Sequence, residues 1–252
     1  MRRDTDRDWR TIAAEQPYWA VLSAEEFRGR DLDAQAKARF FESGRRLVAE
    51  IIDRIHRHCR PGFTLDRALD FGCGVGRLLL PIAERAREAV GVDVAPHMIE
   101  LARQSLKLTN TTNATVVQGD DTLSQVSGRF NFVNSVIVLQ HIPPERGYRI
   151  IGRLLALLEV GGVASLQLTY AKERRFFGHE AGLARYYRRD GDTLHDLLPL
   201  DTAPPEGTIT MFDYDLNEIM LMVGDVAEPP VLVIPENAGH ASVHLIFRKA
   251  RD

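Results

Sequence analysis

Between Leu69 and Arg103 the chain reads LDFGCGVGRLLLPIAERAREAVGVDVAPHMIELAR: a strand-like run, a glycine turn, a helical stretch, then the same order again. Such alternation commits a chain to parallel strands, because only a crossover, usually a helix, brings the next strand back in the same direction. It continues from Leu65 onward. Strands are expected at 65–71, 88–94, 114–120, 130–139 and 163–170, with helices at 76–86, 96–106 and 143–162. Pro96 suits a first helical position, and Met98, Ile99 and Ala102 share one face. In the third helix Pro143 and Pro144 stand at the start, Ile151, Leu154, Leu155 and Leu158 form the stripe, and Gly161 is the expected stop.

A further helix is expected at 215–225, with Asp215 and Glu218 placed as a capping box. The last strands, 230–235 and 241–249, are joined too tightly for a crossover helix and should pair antiparallel. The expected fold class is α/β, a doubly wound, mostly parallel seven-stranded sheet with an antiparallel last strand. Residues 1–60 form a helical arm or lid ahead of the 61–252 domain. That arm holds a helix at about 35–59, with Phe40, Phe41, Leu47, Val48, Ile51, Ile52 and Ile55 at helical spacing. Tyr18 and Trp19 either pack the arm onto the domain or belong to a lid. An irregular insertion occupies about 171–212.

The glycine turn narrows the ligand. Glycines where a strand meets a helix let backbone approach a ligand closely. Dinucleotide sites use G-x-G-x-x-G, but in Gly72-Cys73-Gly74-Val75-Gly76-Arg77 the third glycine comes one position early and Arg77 stands in its place. Asp70, two residues before Gly72, would repel a pyrophosphate and suits a ligand bearing positive charge.

The residues DFGCGVGR resemble motif I of the class I S-adenosylmethionine-dependent methyltransferases, of the Rossmann-like superfamily, and the segments that follow keep step with that family over about 65–170. The resemblance implies S-adenosyl-L-methionine as cofactor and S-adenosyl-L-homocysteine as product. It puts Asp70 at the methionine end and the loop Gly72, Cys73, Gly74 and Gly76 beneath methionine and ribose. Asp93 would accept from the ribose hydroxyls, Val94 and Met98 would flank the adenine, and Asp120, with Asp121 beside it, would meet the adenine amino group. Ser135 and Val136 would offer a backbone carbonyl to the cofactor amine. One departure is Asn131, where the family commonly has Asp at a structural position.

The acceptor is less legible. His141, in LQHIPPE after the fourth strand, is the candidate general base, against a purely bracing role for the loop. The N-P-P-Y signature for exocyclic amines of nucleobases is absent. Gln140, Tyr170, His179, Tyr186 and Tyr187 are candidate substrate contacts, with Tyr18 and Trp19 from the arm. The stretch YAKERRFFGHEAGLARYYRRDGD is locally basic with interleaved aromatics, which fits either a grip on an anionic group or a solvated loop.

A net charge of −3 over 252 residues carries none of the basic field that nucleic-acid binders usually show. No apolar run reaches the ~18 residues needed to span a bilayer, and the charged N-terminus has no apolar core of a signal peptide. The two cysteines, Cys59 and Cys73, stand at no metal-ligand spacing and fit a reducing cytoplasm. The expectation is a cytoplasmic methyltransferase for a small-molecule acceptor, without metal or membrane partner and with no nucleic-acid partner, its oligomeric state open. The alternatives are an RNA or protein methyltransferase docking through the basic insertion, or a cofactor-binding regulatory protein without catalysis.

Overall fold

The computed structural model describes residues 4–172, 186–190, 193–197, 209, 211–234 and 240–252, with backbone only at 172, 186–190, 193–197 and 240. Seven strands form one sheet: β1 (Arg67–Phe71), β2 (Glu88–Asp93), β3 (Ala114–Gln118), β4 (Phe130–Ser135), β5 (Leu158–Lys172), β8 (Val231–Val233) and β9 (His240–Arg248). Their order is β3-β2-β1-β4-β5-β9-β8; a separate hairpin pairs β6 (Tyr186–Asp190) with β7 (Thr193–Leu197). β1 to β5 pair in parallel, while β9 runs antiparallel to both β5 and β8. The sheet is the one expected from the alternation, and the last two strands pair antiparallel. Chain order reverses beside β1, between β2 and β4, so the crevice for a ligand opens at the C-terminal ends of those strands.

The strands bury both faces, as a covered parallel sheet requires. Leu69, Phe71, Val90 and Val133 pack with α6 (Pro144–Leu157) and α7 (Leu216–Gly224) through Ile151, Leu154 and Ile219. Ala68, Phe132, Val163 and Ile246 meet α3 (Ala34–Arg54), α4 (Leu79–Ala83) and α5 (Pro96–Leu108) through Val48, Ile51, Leu79, Ile82, Ile99 and Ala102. Asp215 caps α7, its side chain accepting from Asn217 N at 2.9 Å. Asn131 ties β4 to the start of β1: its Oδ1 accepts from Asp66 N and Arg67 N at 2.9 and 3.1 Å, and its Nδ2 donates to Thr64 O at 2.8 Å.

Three boundaries differ from the expected ones. The third of the expected helices ends at Leu157, and Leu158 already begins β5, so Gly161 (φ +82°) lies inside a strand rather than stopping a helix. The buried Lys249 ammonium fixes that end, donating to Leu155 O and Leu158 O at 3.0 and 2.9 Å. β4 stops at Ser135 because Ile137 turns left-handed (φ +61°), and Leu139–His141 form a 3₁₀ turn instead of strand. The first helix after β1 is regular only over Leu79–Ala83, since the glycine turn with Gly76 at φ +92° occupies its expected start.

The N-terminal arm comprises α1 (Thr5–Glu15), α2 (Pro17–Val21) and α3, the last closing on a π-helical turn at Ile55–Cys59. Its own cluster of Ile12, Tyr18, Phe27 and Phe40 packs on Val75, Ala95 and Met98 of the main domain. Tyr18 is buried edge-on to Phe40 with ring centroids 5.2 Å apart, and Arg28 lies 4.6 Å over Trp19. Among the described residues no helix is long and apolar enough to cross a membrane.

Candidate cofactor and active site

The glycine turn is built by hydrogen bonds from β2. Gly72 N and Cys73 N both donate to Val92 O, at 2.7 and 2.9 Å. One residue on, Asp93 braces the turn with its side chain: Oδ2 accepts from Gly74 N and Oδ1 from Ala95 N, each at 2.9 Å. Burial pushes the Asp93 carboxyl up, and bonds from the Ala95, Gly74 and Val94 amides pull it back. Gly72 and Gly74 take positive φ, +75° and +52°, and a Cβ at either would stand 2.3 Å from Val138 Cγ2 or 2.6 Å from Val21 Cγ2. Both the strand-four loop and the arm therefore close on bare backbone.

Beneath this turn sits Asp70, 2% exposed. Its Oδ1 accepts from Asn134 Nδ2 at 2.8 Å, while among the described residues Oδ2 has no hydrogen-bond partner. Burial raises the carboxyl to about 7, opposed by Asn134 and by the buried Arg77 guanidinium, and reinforced by Asp93. Burial in turn lowers Arg77 to about 10, and Asp70 raises it. An orphaned carboxylate oxygen at this depth carries a desolvation cost that a ligand cation would remove.

A cavity opens beside the turn, with about 870 Å³ of free space, counting space open to solvent. Of the residues singled out in the sequence, Gly72, Gly74, Asp93, Val94, Met98, Asp120, Asp121, Val136 and His141 line it. Asp70, Cys73, Gly76 and Ser135 do not; Asp70, Cys73 and Ser135 are buried in the layer behind.

A methyltransferase domain family matches residues 68–162. The likeness to that family is confined to these residues. The ubiquinone biosynthesis O-methyltransferase of Xanthomonas campestris is 31% identical over 101 residues, 40% of this chain and 41% of that protein. A 23S rRNA (uracil(1939)-C(5))-methyltransferase of Klebsiella pneumoniae is 42% identical over 50 residues, 20% of this chain and 12% of that protein. The match to the first of these curated relatives thus spans about two-fifths of its length. Among solved structures, the magnesium protoporphyrin IX methyltransferase of Synechocystis, crystallised with bound SAH, superposes with a TM-score of 0.61 at 17% identity, covering 95% of this chain and 97% of that one. That likeness is one of fold.

At the cavity the two strand-three acids are already engaged. Asp120 accepts from Thr122 N and Oγ1 at 2.7 and 2.6 Å and from Ser124 Oγ, which holds its carboxyl well below the usual range. Asp121 is held down by Arg146 in α6. Arg146 also reaches the arm, donating to Asp6 and Thr5. Trp9 of α1 stands edge-on to the buried His141, ring centroids 4.8 Å apart, and both line the cavity.

The arm residues that reach the cavity are thus Thr5, Asp6, Trp9, Ala20 and Val21, while Tyr18 and Trp19 do not line it. No local pattern announces Arg146 or Asp6, whose pairing spans 140 residues. Gln140 and Tyr170 do not line the cavity: Gln140 is buried, its backbone oxygen accepting from Phe212 N at 2.6 Å, and Tyr170 packs on the core. His179 lies outside the described residues, as do the side chains of Tyr186 and Tyr187.

Proposed function

We propose that this chain is an S-adenosylmethionine-dependent methyltransferase that transfers a methyl group to an oxygen or nitrogen of a small-molecule acceptor. The observation that carries the cofactor is Asp70, a buried carboxylate with one oxygen unpartnered among the described residues, behind a glycine turn held by a second acid, Asp93. The residues fit the donor's parts. Asp70 would take its ammonium group, Gly72 and Gly74 its backbone-lined cradle, Asp93 its ribose hydroxyls, and Met98 and Val94 the faces of its adenine. Asp120 and Asp121 would meet the adenine edge.

When bound, S-adenosylmethionine supplies a methyl group on a sulfonium, and its in-line displacement asks mainly for an acceptor held at about 3 Å, worth up to ~7–11 kcal/mol. The chain's part is then to position and enclose. Two features support a small acceptor: α1 lies along the cavity, and Trp9 is set against His141 there. The similarity to a ubiquinone biosynthesis O-methyltransferase points the same way. His141 would accept a hydroxyl or ammonium proton from the acceptor.

Transfer of labelled methyl from S-adenosylmethionine, assayed against phenols, amines, sugars and ribosomal RNA, tests this. Label on a small acceptor is expected; label on RNA alone would replace the acceptor class. With a true acceptor in hand, His141→Ala should lower kcat by roughly 10²–10⁴ if it is the base. Near-full kcat would make it a bracing residue.

A further inference from the structure

Asp70 is one end of a buried polar row that crosses one face of the sheet. In the strand register Asp70 stands beside Asn134, and Asn134 beside Ser165; His244 on β9 lies diagonally beyond. All four are at most 4% exposed. Their neighbours along the same face are Ala68, Phe132, Val163 and Ile246, with the buried Gln167 and Ser242 next to Ser165 and His244 on their strands. Polar groups so placed are costly unless every one is satisfied, and a sheet needs none of them for pairing.

The bonds in the row have one direction. Asn134 Nδ2 can only donate, and it donates to Asp70 Oδ1 at 2.8 Å. That leaves Asn134 Oδ1 as acceptor for the Ser165 hydroxyl, 3.0 Å away. Having spent its proton, Ser165 Oγ must accept from His244 Nε2, at 2.8 Å. Burial, with help from Arg54, lowers His244 to about 4, so the ring is neutral at pH 7 and its Nε2 carries the proton. Each donor therefore points toward Asp70. Reversed, the Asn134 amide would set its oxygen against the carboxylate.

We propose that Ser165 and His244 are positioning residues which lock the Asn134 amide in the orientation that keeps Asp70 an anion, ready for the ammonium group of the methyl donor. The proposal rests on the cofactor assignment made above. The other groups acting on Asp70 are Arg77 and Asp93, with the Cys73 thiol beside both acids. None of these belongs to the row, so their influence is common to all variants below.

The test compares two ligands by calorimetry from pH 5.5 to 8.5: S-adenosylhomocysteine, which carries the ammonium group, and 5′-methylthioadenosine, which lacks it. Ser165→Ala should weaken S-adenosylhomocysteine about tenfold at pH 7, the scale of one charge-assisted hydrogen bond. Its affinity should recover at a pH about one unit higher than in the wild type. Binding of 5′-methylthioadenosine should be unchanged, and the single variant His244→Gln, which keeps a donor to Ser165, should retain most of the wild-type affinity. Equal loss for both ligands, or no loss for either, would overturn the proposal. His244→Leu is read the same way should Ser165→Ala not fold. Wild type binding neither ligand overturns the cofactor assignment itself; wild type binding both alike overturns only the role given to Asp70 and its row.

Discussion

Arg146 and Asp6 meet in a two-point ion pair, Nη1 to Oδ1 and Nη2 to Oδ2, each at 2.9 Å. The same guanidinium holds Asp121 through Nε at 2.9 and 3.0 Å, so one side chain of α6 joins the arm to the strand-three loop across the mouth of the cavity. Arg is suited to this because its planar fork serves two carboxylates at once. The pair is about a quarter exposed, 26% and 28%, so salt screens part of it.

Cutting this latch should loosen the arm without unfolding the domain. Asp6→Ala is expected to speed release of S-adenosylhomocysteine by roughly 3–10-fold, on the order of 1 kcal/mol, with a smaller effect at high salt. Stopped-flow displacement measures it. An unchanged release rate at low salt would mean that α1 does not gate the cavity.

Gly74 joins two constraints, a φ of +52° and a neighbour, Val21 Cγ2, 2.6 Å from where its Cβ would stand. Gly74→Ala should destabilise the fold by about 1–3 kcal/mol and push α2 off the turn. Adding Val21→Ala should return part of that loss, since the clash goes while the strain stays. Denaturant unfolding of the three proteins decides it: a double variant no better than the single one would remove the contact from the explanation.

Asp70 and His244 tie stability to pH in opposite senses. Asp70 is raised from 3.8 to about 7, so its contribution is fully present below about 3.8 and is lost progressively as pH rises to about 7. His244 is lowered from 6.5 to about 4, so its contribution is present above 6.5 and lost as pH falls through about 4. Asp70→Asn removes the first linkage. The unliganded variant should melt ~2–4 °C higher than wild type at pH 8, corresponding to ~1 kcal/mol, with the difference shrinking as pH falls toward about 4. A lower melting temperature at pH 8 would show that the charge is better satisfied than its unpartnered oxygen implies.

The parallel sheet was legible because apolar strands and amphipathic helices differ in period, and the glycine turn because the loop's spacing is local. Asp93 and His141 lie within a few residues of such a landmark, at the ends of β2 and β4. What failed to show was set by tertiary contact. Leu158 satisfies both a helical stripe and a strand, and only the Lys249 ammonium, 91 residues away, decides where α6 ends. Ile137 at φ +61° is a conformation that a β-branched residue adopts only under constraint, which no sequence pattern announces. Trp9 and Arg146 reach the cavity from elements whose docking depends on pairs far apart in sequence. The row behind Asp70 is legible only in the strand register.

Calorimetric titration of the full chain with S-adenosylmethionine tests the central claim most directly. Wild type should bind with measurable heat, and Asp93→Ala should weaken binding about 100-fold or more, the scale of two hydrogen bonds to a charged group. The variant's melting curve, recorded alongside, shows that it is folded. Absence of binding by wild type, or undiminished binding by folded Asp93→Ala, would contradict the assignment.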